Sequence, residues 1–177
     1  MRHAVVLLVL ILSVATAGEP AESPLKVDLD KVVEQGVVAP VDGITAAGQP
    51  DEAAFKVFAD SGYVAVIDMR TAGEDRGLDE VPVVEGLGME YVAFPIGKED
   101  ITIDKAAELD ALLEQYDGPV LLHCGSANRV GALLALREFQ ATGDVETALE
   151  AGREGGMTRL EGTVIEVLKE AESAASN

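Results

Sequence analysis

Two short runs, YVAVI at residues 63–67 and VLL at residues 120–122, are apolar along their whole length. A half-solvated strand alternates apolar and polar residues, so a strand apolar on both faces must be covered on both. Between and around such runs lie segments with helical spacing. Residues 104–116 carry Ala107, Leu109, Leu112 and Leu113, and residues 130–139 carry Val130, Leu133, Leu134 and Leu136. Asp51 is placed to cap a helix through Asp60, and Ser61-Gly62 ends it. The turn at Asp117-Gly118-Pro119 delivers the chain into the second apolar run. Further strands are expected at residues 44–48 and 89–96, and further helices at 27–35, 145–153 and 158–170. Residues 74–80 read as a charged loop, and 81–87 fit either element. Strands alternating with helices give an α/β class: a single domain with a mostly parallel central sheet flanked by helices.

Length and composition agree with one ordered domain. The chain has 177 residues, of which 48% are apolar and 4% aromatic, so Val, Leu, Ile and Ala build the core. Its net charge of −19 disfavours nucleic acid and anionic membrane surfaces as partners. An anionic substrate has to be captured locally, against that field. A salty habitat would account for the acidity equally well. No oligomeric state follows from the sequence.

The N-terminus reads as an address. Arg2 precedes an uncharged apolar run at residues 4–17 that closes on Ala15-Thr16-Ala17, a small-x-small cleavage pattern. The run is shorter than the ~20 residues needed to span a bilayer. Residues 1–17 are therefore expected to be a signal peptide, with a mature chain from Gly18 that is periplasmic or secreted and not inserted in the membrane. Residues 18–38 are expected to form an N-terminal extension or linker, 39–172 the domain, and 173–177 a disordered tail.

Cys124 is the single cysteine of the chain. An exported protein normally pairs its cysteines, so Cys124 is an inert buried thiol, an intermolecular link or a reactive group. Its neighbours favour reactivity. A buried strand ends at His123, the small or turn-tolerant residues Gly125, Ser126, Ala127 and Asn128 follow, and Arg129 stands where a helix begins. Converging amides at a helix N-terminus bind a tetrahedral oxyanion and stabilise a thiolate. Arg129 offers a planar fork for phosphate or sulfur oxyanions. Gly131 is expected to let the helix pack closely on the sheet. No cofactor or metal is called for: one Cys and one mature His leave carboxylates nearly alone as ligands, and no nucleotide-binding glycine fingerprint follows any strand.

The segment from His123-Cys124 to Arg129 resembles the active-site loop of cysteine-dependent phosphatases and of rhodanese-type sulfurtransferases. Gly43-Ile44 through Gly48-Gln49-Pro50, then Val66-Ile67-Asp68-Met69-Arg70 with Glu74, residues 91–95, and residues 123–133 together resemble the beta-lactamase-hydrolase-like, phosphatase-like domain family, over about residues 43–157. The resemblance implies a fold like that of dual-specificity phosphatases. Cys124 would be the nucleophile of a phosphocysteine intermediate. Arg129 and the amides of Gly125, Ser126, Ala127 and Asn128 would hold the transferring group. Asp100, with Glu99 as its neighbour and alternative, would protonate the leaving oxygen. Arg70 would either contact substrate or pair with Glu74 or Asp68, the ion pair being favoured. His123 would order the loop.

The loop departs from the tyrosine-phosphatase pattern in length. Four residues separate Cys124 from Arg129 instead of five, position 127 is Ala, and Val130 stands where a hydroxyl residue usually follows the arginine. Four is the spacing of rhodanese-type loops. Three functions are accordingly carried forward: a phosphoester hydrolase, a sulfurtransferase bearing a persulfide on Cys124, and a non-catalytic oxyanion-binding module. The substrate of either enzyme would be a phosphorylated or sulfur-containing anion.

Overall fold

Four strands, β1 (Ile44–Ala47), β2 (Ala65–Asp68), β3 (Glu90–Ala93) and β4 (Val120–His123), form one sheet in the order β1-β4-β2-β3, with every pairing parallel. The computed structural model describes residues 25–175, so the expected signal peptide lies outside the described residues. The apolar runs read from the sequence become β2 and β4, the two inner strands, and all their residues are buried. β3 sits at an edge and is partly exposed. It is also shorter than the strand expected over residues 89–96, although the N–H groups of Phe94 and Ile96 still donate to Asp68 O and Met69 O beyond its end.

β1 is fully buried although it lies at the other end of the strand order. Residues 25–27 run beside it: Ala46 N–H donates to Leu25 O at 2.8 Å and Val27 N–H donates to Ala46 O at 3.0 Å. Helix α1 (Leu29–Gln35) follows, capped by Asp28 and closed by Gly36 at φ 69°. Val27, Val32 and Val38 are buried. Residues 25–38, expected as part of an extension, thus contribute side chains to the packed body.

Helices cover both faces. α1, α2 (Glu52–Asp60) and α3 (Glu80–Gly86) enclose Phe55, Phe58, Val66 and Leu121 on one side. On the other, α4 (Ile103–Leu113), α5 (Asn128–Thr142), α6 (Val145–Glu154) and α7 (Glu161–Ala175) enclose Ile67, Leu122, Leu133 and Leu136. α3 resolves the ambiguous stretch as a helix, and α7 continues into the residues expected as a tail. Gly131 packs against α6 and its exit rather than against the sheet. A Cβ there would lie 2.3 Å from Met157 N and 2.4 Å from Gly152 O. Among the described residues, no helix is long and apolar enough to cross a membrane.

Candidate active site

Strand register places the cysteine loop. His123 pairs with Ala47 of β1 and Asp68 of β2, so Cys124 leaves the sheet at the carboxyl ends of three strands, between the two neighbours. Cys124 N–H donates to Ala47 O at 3.4 Å, and Met69 N–H donates to His123 O at 2.9 Å. A bridge between Gly48 and Ser126 ties the loop to the end of β1. Ala127 adopts φ 64°, ψ −4°, an uncommon left-handed geometry for a residue with a Cβ. That kink turns the chain into α5. The first loop carbonyl to receive a helical amide is Ala127, from Gly131 at 2.9 Å. The amides of Asn128, Arg129 and Val130 precede that bond and belong to the unsatisfied first turn of a helix, where anions are favoured.

Cys124 is 1% exposed and unbonded to any other cysteine. Arg129 lies beside it. The Arg129 guanidinium donates through Nη1 to Glu74 Oε1 and through Nη2 to Glu74 Oε2, both at 2.6 Å. Nη1 also reaches the carbonyls of Met69 and Ile96 at 3.3 Å. The Glu74 hydrogen bond, with the neighbouring Cys124 sulfur, pushes the arginine's pKa further up. Arg129 is therefore a permanent cation. Glu74 is in turn held down at about 2 by that same bond, helped by Thr71, whose N–H and hydroxyl donate to Oε1 at 2.8 and 3.0 Å. Gly125 stands against this pair: a Cβ there would lie 3.9 Å from Arg129 Nη2.

Behind the loop is a buried polar cluster. Arg70 does not reach the cleft. Its side chain is 0% exposed and donates through Nε and Nη2 to the two oxygens of Asp68, at 2.9 and 3.0 Å. Nη2 also forms an ion pair with Glu80 Oε1. The substrate contact considered for Arg70 is thus replaced by the ion pair with Asp68, and Glu74 goes to Arg129 instead. Arg76 donates to Asp68 Oδ2 as well, and the Tyr91 hydroxyl donates to it at 2.8 Å. Burial alone would raise the Asp68 carboxyl. The hydrogen bonds from Arg70 and Tyr91 outweigh it and hold Asp68 well below the usual carboxylate range. Tyr91 is pushed up to about 12 by burial and by the hydrogen bond it gives to Asp68.

His123, fully buried, lies edge-on to Phe55 and puts Nε2 3.4 Å from Glu80 Oε2. Asp68, Glu80 and His123 bring three donor atoms within 4.8 Å of one another. Arg70 and Arg76 supply counter-charge to the two carboxylates of this cluster, while the Glu80 oxygens and the His123 nitrogens are buried without a hydrogen-bond partner among the described residues. Glu80, which the sequence places at the end of a charged loop, instead starts α3 and is buried. No sequence signal distinguishes it from its exposed acidic neighbours.

A cleft of about 360 Å³ opens over the loop, lined by Thr71, Glu74, Gly97, Lys98, Ser126, Asn128, Arg129 and Arg159 among others. Asn128 lies on it but spends its side-chain oxygen elsewhere. Oδ1 accepts from Thr158 N–H at 2.7 Å, Thr158 Oγ1 at 3.1 Å and Leu160 N–H at 3.4 Å. Asp100 ends a 3₁₀ turn, Lys98–Asp100, and its Oδ2 accepts from Gly97 N–H at 2.7 Å. Neither Asp100 nor Glu99 lines the cleft, although the turn that carries them does through Gly97 and Lys98. The structure thus keeps Cys124, Arg129 and the loop amides together, leaves Asp100 outside the cleft lining on the turn that carries Gly97 and Lys98, and removes Arg70 to the interior.

The family profile of the beta-lactamase hydrolase-like protein, phosphatase-like domain, matches residues 36–141. A beta-lactamase hydrolase-like protein of Agrobacterium fabrum is 29% identical over 99 residues, covering 54% of this chain and 23% of that protein. One from Xylella fastidiosa is 31% identical over the same shares of each chain. The match thus spans about a quarter of the length of these relatives. In fold, the chain is similar to a candidate phosphatase of Neisseria meningitidis (TM-score 0.58, 17% identity, 68% of this chain and 89% of that one). It is also similar to a candidate phosphatase of Shewanella putrefaciens (TM-score 0.55, 21% identity, 72% and 82%). P. aeruginosa TpbA, solved in complex with phosphotyrosine, shares the fold at TM-score 0.50 and 18% identity, over 72% and 84%.

Proposed function

We infer the function from one premise: this chain belongs to the phosphatase-like domain family of beta-lactamase hydrolase-like proteins. It acts as a cysteine-dependent phosphatase on phosphomonoesters. The observation that carries this reading is the Arg129 guanidinium beside Cys124 at the free N-terminus of α5. The Cys124 thiolate attacks phosphorus and the P–O bond to the leaving group breaks. Asp100 gives its proton to the departing oxygen. Water then attacks the phosphocysteine, its proton passes to the Asp100 carboxylate, and phosphate leaves as the P–S bond breaks and the thiolate returns. Arg129 and the loop amides hold the phosphoryl oxygens, which carry the charge of a loose transition state. Glu74 aims the arginine. Its own carboxyl is already ionised, which excludes it as the proton donor. Phosphotyrosine in the complex of TpbA supports a phosphorylated anion as substrate.

The four-residue spacing between Cys124 and Arg129 favours a second reading. Thiosulfate would give its outer sulfur to Cys124 as a persulfide, releasing sulfite, and cyanide would take that sulfur as thiocyanate. We also infer export from residues 1–17, which N-terminal sequencing of the mature protein checks: a chain starting at Met1 in the cell envelope fraction contradicts cleavage.

The deciding experiment assays reduced protein beside Cys124→Ser on an aryl phosphate and, separately, on thiosulfate with cyanide. Phosphate release that disappears in the variant supports the hydrolase. Thiocyanate without phosphate release transfers the assignment to the sulfurtransferase. Background activity in both leaves an anion-binding module.

A further inference from the structure

Most cations of the described chain are neutralised locally. Lys31, Lys56, Arg70, Arg76, Lys105, Arg129, Arg137 and Arg153 each have a carboxylate partner. Lys98 and Arg159 have none, are exposed, and both line the cleft that Ser126, Asn128 and Arg129 of the cysteine loop also line. Lys26 and Lys169 are the other unpaired cations among the described residues, and neither lines it. With 32 acidic residues against 13 basic ones, an unpaired cation is uncommon here, and two converge on one opening.

Both are also carried on segments fastened to the anion loop. Thr158 and Leu160, the residues flanking Arg159, are bonded to the side chain of Asn128 in the loop. The turn bearing Lys98 begins just after Ile96, whose carbonyl accepts from Arg129, and Asp100 closes that turn on Gly97. A shift of the loop would carry the two cations with it. The carboxylate within the cleft, Glu74, is committed to Arg129. Glu99 stands next to Lys98 in the same turn but outside the cleft lining.

We propose that Lys98 and Arg159 form a second anion subsite beside the cysteine loop, so that the preferred substrate carries a second anionic group, phosphate or carboxylate, on the molecule whose phosphate reacts. The physical need is evident from the charge balance. A net charge of −19 repels a polyanion at long range, but at physiological ionic strength charges more than about 8 Å apart are largely screened. Cations at the mouth then decide capture. An ester with a single anionic group engages Arg129 and the loop amides alone, whereas one with a second anionic group engages all of them. This inference deepens the phosphatase reading and rests on it for the turnover arm of its test.

That test compares three substrates: phenyl phosphate, a carboxyphenyl phosphate and a phenylene bisphosphate. The readout is the ratio of kcat/KM for each bis-anionic ester to that for phenyl phosphate, in wild type, in Lys98→Gln/Arg159→Gln and in Lys169→Gln. The wild type should prefer at least one bis-anionic ester tenfold or more, and added salt should erode the preference. In the double variant the ratio should fall tenfold, while Lys169→Gln leaves it unchanged. Preference for the bisphosphate over the carboxylate, or the reverse, assigns the group bound. A ratio near one in the wild type, or an equal fall with Lys169→Gln, overturns the subsite. A binding arm separates this failure from failure of the chemistry: Cys124→Ser protein is titrated with inorganic phosphate and with the bisphosphate by calorimetry. Tighter binding of the bisphosphate that is lost on removing Lys98 and Arg159 upholds the subsite even where turnover is absent, and equal binding of the two overturns it.

Discussion

The Arg129 guanidinium and the Glu74 carboxylate meet fork to fork, with both N···O distances at 2.6 Å, across 55 residues of sequence. The pair holds one edge of the guanidinium while the neighbouring Cys124 sulfur also acts on it, so Glu74 fixes the cation beside the cysteine.

Glu74→Gln should lower kcat/KM for an aryl phosphate by about 10- to 100-fold, which corresponds to roughly 1.4–2.7 kcal/mol of transition-state stabilisation. Expressed as free energy, the kinetic loss should exceed the loss of stability measured on the same preparation at neutral pH. Unchanged kinetics would show that Arg129 needs no orienting partner.

The same residue makes stability depend on pH. The folded carboxyl titrates at about 2, below its usual 4.5, so the unfolded chain binds more protons between those values. Its contribution is fully present at neutral pH and is lost as pH falls from about 4.5 toward 2. Urea unfolding of wild type should weaken over that window, and Glu74→Gln should show a flatter profile there. Parallel profiles would remove Glu74 from the acid response.

Arg70 lies at 0% side-chain exposure between Asp68 and Glu80. Its replacement by Leu leaves the buried Glu80 carboxylate without its guanidinium and Asp68 with Arg76 and Tyr91 as its remaining side-chain donors, a loss of about 3–5 kcal/mol in comparable cases. Chemical denaturation should show a lower midpoint with the slope retained. A cost under about 1 kcal/mol would contradict the network described here.

Asp100→Asn separates the general acid from a merely structural aspartate. An alkyl phosphate with a poor leaving group should lose about 100-fold in kcat, whereas nitrophenyl phosphate, which needs no proton, should lose little. Equal losses on both would indicate that the bond from Gly97 N–H to Asp100 Oδ2 is its whole role.

Gly131→Ala places a methyl against backbone atoms of Met157 and Gly152. Backbone cannot rotate away as a side chain can, so the cost should reach the upper part of the ~1–3 kcal/mol typical of overpacking. At about 2–4 °C per kcal/mol for a chain of this size, the melting temperature should drop by about 6 °C or more. A drop under about 2 °C would mean that α6 yields easily.

Much of the architecture was legible because it depends on local pattern. Apolar runs at residues 63–67 and 120–122 announced the inner strands, Asp51 capped α2 as expected, and Gly36 closed α1. The stretch around Val81 stayed ambiguous because a short helix with one face on the core repeats too few times to show a period. Gly131 was recognised as a close-packing position, but its partner was not, since proximity to α6 depends on where the chain returns.

The sequence by itself determined the cysteine loop: a buried strand, small residues, Arg129 and a helix lie within one contiguous stretch, and neighbouring residues need no fold to meet. Only the tertiary structure decided the charge partners. Arg129 chose Glu74, Arg70 went inward to Asp68 and Glu80, and Lys98 and Arg159 were left unpaired at the cleft. In a chain with 32 acidic residues every arginine has many eligible partners. Coulomb attraction is blind to sequence distance, so the pairing belongs to the packing that brings particular charges together and takes them out of water.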